Sequence, residues 1–112
     1  MNAEGARAED LCAGLMRAAG LVLVERNWRC RLGEIDLIAE EEGTIVFAEV
    51  RSRSGGGFGG AAESITVAKR DRLLAAARLY LAGRPNAHCR FDVFLVEGEP
   101  RQVRWIRDAF GE

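Results

Sequence analysis

The stretch "GEIDLIAEEEGTIVFAEVRSRS", Gly33 to Ser54, decides the fold. It reads as two strands, about Glu34 to Glu40 and Thr44 to Arg51, joined by a tight turn whose central residues are Glu42 and Gly43. With that turn, Asp36 stands opposite Glu49, Ile38 opposite Phe47, and Glu34 opposite Arg51. Opposed side chains in an antiparallel pair lie about 4.5 to 5.5 Å apart at Cβ. Two carboxylates at about 5 Å repel by about 3 kcal/mol at an effective dielectric of about 20. A sheet selected only for stability avoids this pairing. A divalent cation relieves it, because Mg²⁺ or Mn²⁺ takes carboxylate, carbonyl and water oxygens and leaves positions for phosphate. The other reading is a longer loop that shifts the register and leaves both as edge acids.

The flanking sequence supplies the frame. Ala8, Leu11, Cys12, Leu15, Met16 and Ala19 recur at helical spacing, so the spacing predicts an amphipathic helix over about Ala3 to Ala19, stopped by Gly20. Glu9 lies on the border of that apolar stripe. "LVLVERNWRC", Leu21 to Cys30, reads as a strand. A glycine-rich loop, "SRSGGGFGGAAES", follows the hairpin, and Thr66 is placed to cap a second helix reaching about Ala82. "CRFDVFLV" and the shorter "QVRWI" are the last two strands. The order is helix, three strands, helix, strand and a short final strand. It predicts one α/β domain over residues 1–112 with a mixed sheet, the third and fourth strands running parallel across a helical crossover. That crossover brings Lys69 and Arg70, in the helix's first turn, towards the acids.

Composition narrows the classes. In 112 residues, 48% of them apolar, one core forms without metal or disulfide staples. Cys12, Cys30 and Cys89 are odd in number and far apart, and with His88 they contain no CxxC pair, so free thiols rather than a zinc site are expected. No run reaches the roughly 20 apolar residues of a membrane span, and no signal peptide begins the chain, which points to a cytoplasmic protein. Net charge is −1, which excludes a strongly basic nucleic-acid binder, but the charge is uneven. Residues 51–90 hold eight Arg or Lys against two acids, while residues 1–50 hold five Arg against ten acids.

"GARAEDLCAGLM", "ERNWRCRLGEIDLIA", "VFAEVRSR", "ESITVAKRDRLLAAARLYL", "RFDV" and the closing "AF" together resemble the YraN family of small bacterial proteins. By fold that family belongs to the restriction-endonuclease-like PD-(D/E)XK nucleases and is similar to Holliday-junction resolvases. The resemblance implies an α/β/α sandwich, a Mg²⁺- or Mn²⁺-binding site on Asp36, Glu49 and the Val50 carbonyl, and Glu9 as an assisting helix carboxylate. It places Arg51 where a lysine is usual, and Lys69 where an auxiliary helix residue reaches the site. It also suggests a homodimer on branched DNA, with Phe58, Trp105 and Phe110 as apolar residues a monomer would leave uncovered.

Two function classes follow. One is a divalent-metal-dependent nuclease acting on branched or structured DNA, with Asp36, Glu49, Arg51 and Glu9 as its chemistry and Arg53, Lys69, Arg70 and Arg72 as phosphate contacts. The other is a non-catalytic nucleic-acid-binding or scaffold protein that keeps the fold. Arginine stays protonated, so Arg51 serves as donor and counter-charge but not as a base.

Overall fold

A computed structural model describes residues 3–53, 66–98 and 100–111. Its elements are α1 (Ala3–Ala18), β1 (Val22–Cys30), β2 (Gly33–Glu41), β3 (Thr44–Arg53), α2 (Val67–Leu81), β4 (His88–Glu97) and β5 (Gln102–Phe110). The five strands form one mixed sheet in the order β1-β2-β3-β4-β5. Only β3 and β4 run parallel, joined across α2 as their long connection requires. The glycine-rich loop and Phe58 lie outside the described residues.

The β2–β3 hairpin has the expected register, with Ile38 opposite Phe47 and Glu41 opposite Thr44. Its turn is set by Glu42 at φ 49° and Gly43 at φ 86°, the pair of positive values that matches the right-handed twist of the strands. Thr66 caps α2, its hydroxyl accepting from the Lys69 N–H at 3.1 Å.

The helices cover opposite faces. Ala8, Cys12, Ala13 and Met16 of α1 pack with Leu37, Ala39, Val46, Ala48 and Phe94, whereas Leu73, Leu74, Ala76, Ala77 and Tyr80 of α2 pack with Ile35, Ile38, Phe47 and Phe91. An aromatic row crosses the α2 face from Trp28 through Tyr80, Phe47 and Phe91 to Phe110, with neighbouring centroids 5.3 to 5.7 Å apart. Trp105 stacks on Phe94 at 5.0 Å. Trp105 and Phe110 therefore help close the core, and they lend no support to an apolar dimer face.

Three expectations are corrected. The buried stripe of α1 is rotated towards Glu9 and Ala13, leaving Leu11 and Leu15 exposed, because Ala8, Cys12, Ala13 and Met16 are the side chains that pack on the sheet. The last strand runs on to Phe110, since a kink with Asp108 at φ 51° lets Phe110 return to pair with Phe91. Glu34 bonds Arg29, at 2.9 Å, and not Arg51. Those two residues are direct partners in the β1–β2 ladder, while the β2–β3 ladder has opened by that point.

One irregularity positions the site. Strict alternation would put Ile35 and Leu37 on the same face, yet Ile35 packs on the α2 side and Leu37 on the α1 side. Strand β2 therefore turns over at Asp36. Strand β1 is irregular at the same level, with Asn27 at φ 52° between the pairs Arg26–Leu37 and Trp28–Ile35.

Candidate metal and phosphate site

The β2–β3 ladder ends at Leu37 and Ala48. Beyond it, the Asp36 carboxylate takes the place of a ladder acceptor, its Oδ2 receiving the Val50 N–H at 2.9 Å. This bond ties Asp36 to the residue after Glu49, although Asp36 and Glu49 are not themselves partners in the ladder. Both acids line one cleft of about 270 Å³, together with Gly5, Ala8, Glu9, Gly33, Glu34, Val50, Ser52, Lys69, Arg72 and Leu73. At about 30 Å³ per water, that space accepts a hydrated ion and a phosphate group. Gly33 admits α2 closely, since a Cβ there would lie 3.4 Å from the Arg72 carbonyl oxygen.

Glu9 reaches the cleft from α1 and is only 3% exposed. Its Oε1 accepts from Asn27 Nδ2 at 3.1 Å and from Arg26 Nη2 at 3.5 Å. Arg26 makes its shorter bond, 2.7 Å, to Asp10. Opposite, Glu49 Oε2 pairs with Lys69 Nζ at 3.0 Å and, more distantly, with Arg51 Nη1 at 3.9 Å.

The electrostatics follow from the packing. Burial, and then the adjacent charge of Glu49, push the Asp36 carboxyl up from 3.8 to about 8, against the opposing Val50 N–H bond. The Asp36–Glu49 pair therefore holds a proton well above the usual carboxylate range unless a cation joins it. Burial raises the Cys12 thiol to about 12, with Glu9 and Asp36 adding to the effect, so Cys12 is an inert core thiol beside the site. None of the three cysteines is in a disulfide.

The donor set suits a hard cation. Asp36 and Glu49 present oxygen only, in the number that Mg²⁺ commonly takes from protein. Among the described residues no group of three acids, histidines or cysteines is arranged to enclose an ion. Glu9 thus stands in the same cleft as an additional charge rather than as the third wall of a cage.

The remaining candidates divide. Val50 lines the cleft and donates its N–H to Asp36. Lys69 and Arg72 face the cleft from α2, and Arg70 is not among its lining residues. Arg51 reaches Glu49 but does not line the cleft. The Arg53 side chain lies outside the described residues. Asn27 was not singled out in the sequence, although an asparagine inside an otherwise β-forming run is a detectable signal. Asp92, 0% exposed, belongs elsewhere: Arg90, Trp105 Nε1 and the Asp108 N–H saturate it at 2.9 to 3.2 Å.

Comparison with known proteins gives the relationship. The model of "Uncharacterised protein family UPF0102" matches residues 8–96. The chain belongs to the UPF0102 family. A UPF0102 protein of Nitrosomonas europaea is 50% identical over 111 residues, covering 97% of this chain and 94% of its own. One from Dechloromonas aromatica is 51% identical over 109 residues, with 97% and 89% covered. One from Cupriavidus taiwanensis is 52% identical over 111 residues, with 97% and 83% covered. The UPF0102 match spans the hairpin, Glu9 and α2, so it includes every residue placed in the cleft above except Gly5. No helix among the described residues is long and apolar enough to cross a membrane.

Proposed function

We propose that the protein is a divalent-metal-dependent phosphodiester hydrolase of the restriction-endonuclease-like type, acting on branched or structured DNA. One observation carries the reading: Asp36, Glu49 and Glu9 meet in a single cleft, and an ammonium group lies 3.0 Å from Glu49. Asp36 and Glu49 would hold Mg²⁺ or Mn²⁺, which when bound supplies Lewis-acid polarisation of a phosphoryl oxygen and acidification of a water. Glu9 adds negative charge that favours the cation.

Lys69 takes the part expected of position 51. It is the chain's only lysine beside fifteen arginines, so an ammonium here departs from the chain's general preference. Its Nζ is a compact, rotatable donor that orients an attacking water or meets the charge developing on phosphate. Arg51, farther from Glu49, serves as counter-charge at the rim. Arg72 gives an incoming phosphate a second cation. Duplex geometry is then read through phosphates.

A second reading, a non-catalytic nucleic-acid-binding protein on the same fold, is favoured by Arg51 at the usual lysine position and by the net charge of −1. A cleavage panel separates the two. Junction, flap, nicked and linear DNA are incubated with Mg²⁺ or Mn²⁺, with Asp36→Ala as control. Metal-dependent cleavage lost in the control supports the hydrolase. Binding without cleavage of any substrate supports the alternative.

A further inference from the structure

We infer that Asn27 is a positioning residue that fixes the Glu9 carboxylate at the wall of the metal cleft. This rests on the divalent-cation reading above and adds to it a residue that lies outside the cleft itself.

Four features of Asn27 converge. Its backbone is left-handed, at φ 52°, a conformation that asparagine tolerates far better than the β-branched residues suited to a strand. It stands at the level where β2 turns over at Asp36, between the pairs Arg26–Leu37 and Trp28–Ile35. Its Nδ2 donates to Glu9 Oε1 at 3.1 Å. Its Oδ1 is the only buried side-chain nitrogen or oxygen among the described residues without a hydrogen-bond partner.

The last feature explains the orientation. An unpaired buried acceptor costs about 1–3 kcal/mol, and exchanging the amide oxygen and nitrogen is no remedy, because it would face Oδ1 against the Glu9 oxygen. The amide is therefore oriented by Glu9 at the expense of its own second bond. Local rules of stability are broken in this way where a site requires it.

The choice of donor has a chemical consequence. Arg26 also reaches Oε1, but at 3.5 Å, and its closer partner is Asp10. Asn27 is neutral, so it restrains Glu9 without cancelling the charge the cleft needs. Both donors meet Oε1, so neither competes for Oε2. Glu9 is an added charge beside the cation rather than one of its ligands, so its holder is expected at the low end of the roughly 10- to 100-fold that partners of metal ligands contribute to affinity.

The test is calorimetric titration of Mn²⁺ into the full-length protein and into Asn27→Gly, Asn27→Asp, Glu9→Gln and the double variant Asn27→Gly/Glu9→Gln. Glycine and aspartate both accept the left-handed backbone while removing the donor. Asn27→Gly is expected to bind Mn²⁺ about tenfold more weakly with a cooperative urea transition retained, while in Asn27→Asp the added carboxylate offsets part of that loss. In the Glu9→Gln background, Asn27→Gly should cause no further loss, since its effect passes through Glu9. Unchanged affinity in both Asn27 variants overturns the inference and leaves the hydrolase reading intact. An equal loss in the Glu9→Gln background, or loss of folding in both variants, overturns it by making Asn27 a structural residue. No Mn²⁺ binding by the unmodified protein overturns both the inference and the metal site. The expected affinities, together with absent cleavage of every DNA substrate, uphold Asn27 and remove the hydrolase reading alone.

Discussion

Replacing Asp36 by asparagine should make the metal-free protein's stability less sensitive to pH. The folded carboxyl is raised from 3.8 to about 8, by burial and by Glu49. Between those values the native state keeps a proton that the unfolded chain has released. Stability contributed by such a raised group is complete below the unfolded value and is lost as pH rises through the folded one, with a slope of about 1.4 kcal/mol per pH unit. From pH 5 to pH 7 the natural protein should therefore lose about 3 kcal/mol relative to Asp36→Asn, whose amide does not titrate. The asparagine Oδ1 can still accept the Val50 N–H, so the hairpin end is preserved. Urea unfolding with a chelator present, followed by fluorescence of Trp28 and Trp105 at several pH values, measures the difference directly. Adding Mn²⁺ should stabilise the natural protein more at pH 8 than at pH 6, because binding displaces the shared proton. Two stability curves that stay parallel from pH 5 to pH 8 would show that Asp36 ionises normally, and the electrostatic account of the cleft would be wrong.

Other outcomes follow from the same coordinates. If Lys69 supplies the working ammonium, Lys69→Met should lower Mg²⁺-dependent cleavage by about 100-fold or more, while Arg51→Lys should change it by less than about tenfold; initial rates on the preferred substrate would reveal the reverse order if Arg51 is the acting group. Asp92→Ala should destabilise the fold by about 2–5 kcal/mol, because the Trp105 Nε1–H and Asp108 N–H lose their acceptor while Arg90 keeps only Glu41; urea denaturation would expose a smaller loss.

The sequence made the hairpin legible because Glu42 and Gly43 accept positive φ, and apolar alternation on either side then allows one register. Thr66 marked the start of α2 for an equally local reason, its side chain reaching the Lys69 N–H. Features set by tertiary contact were less visible. Leu11 and Leu15 suggested a stripe that packing of α1 on the sheet displaces towards Ala13 and Glu9. Glu34 had two opposite arginines, and Arg29 won because its ladder remains closed. Asp36 and Glu49 were readable as neighbours, but the turnover of β2 was not, since it depends on Ile35 and Leu37 choosing different helices. Asn27 was hidden by the same event: in a regular strand it would be an ordinary outward residue.

The parallel β3–β4 pair has a consequence for how the molecule comes together. The first three strands are neighbours in both sequence and sheet, so the hairpin bearing Asp36 and Glu49 can close through short-range contacts. The β3–β4 pair and α2 need a long chain excursion to be completed first. An early β1–β2–β3 meander would hold the two acids side by side while Lys69 is still in solution. The acid repulsion, or the proton uptake that relieves it, then falls early on the folding route, and the arrival of α2 later brings the Lys69 ammonium to Glu49.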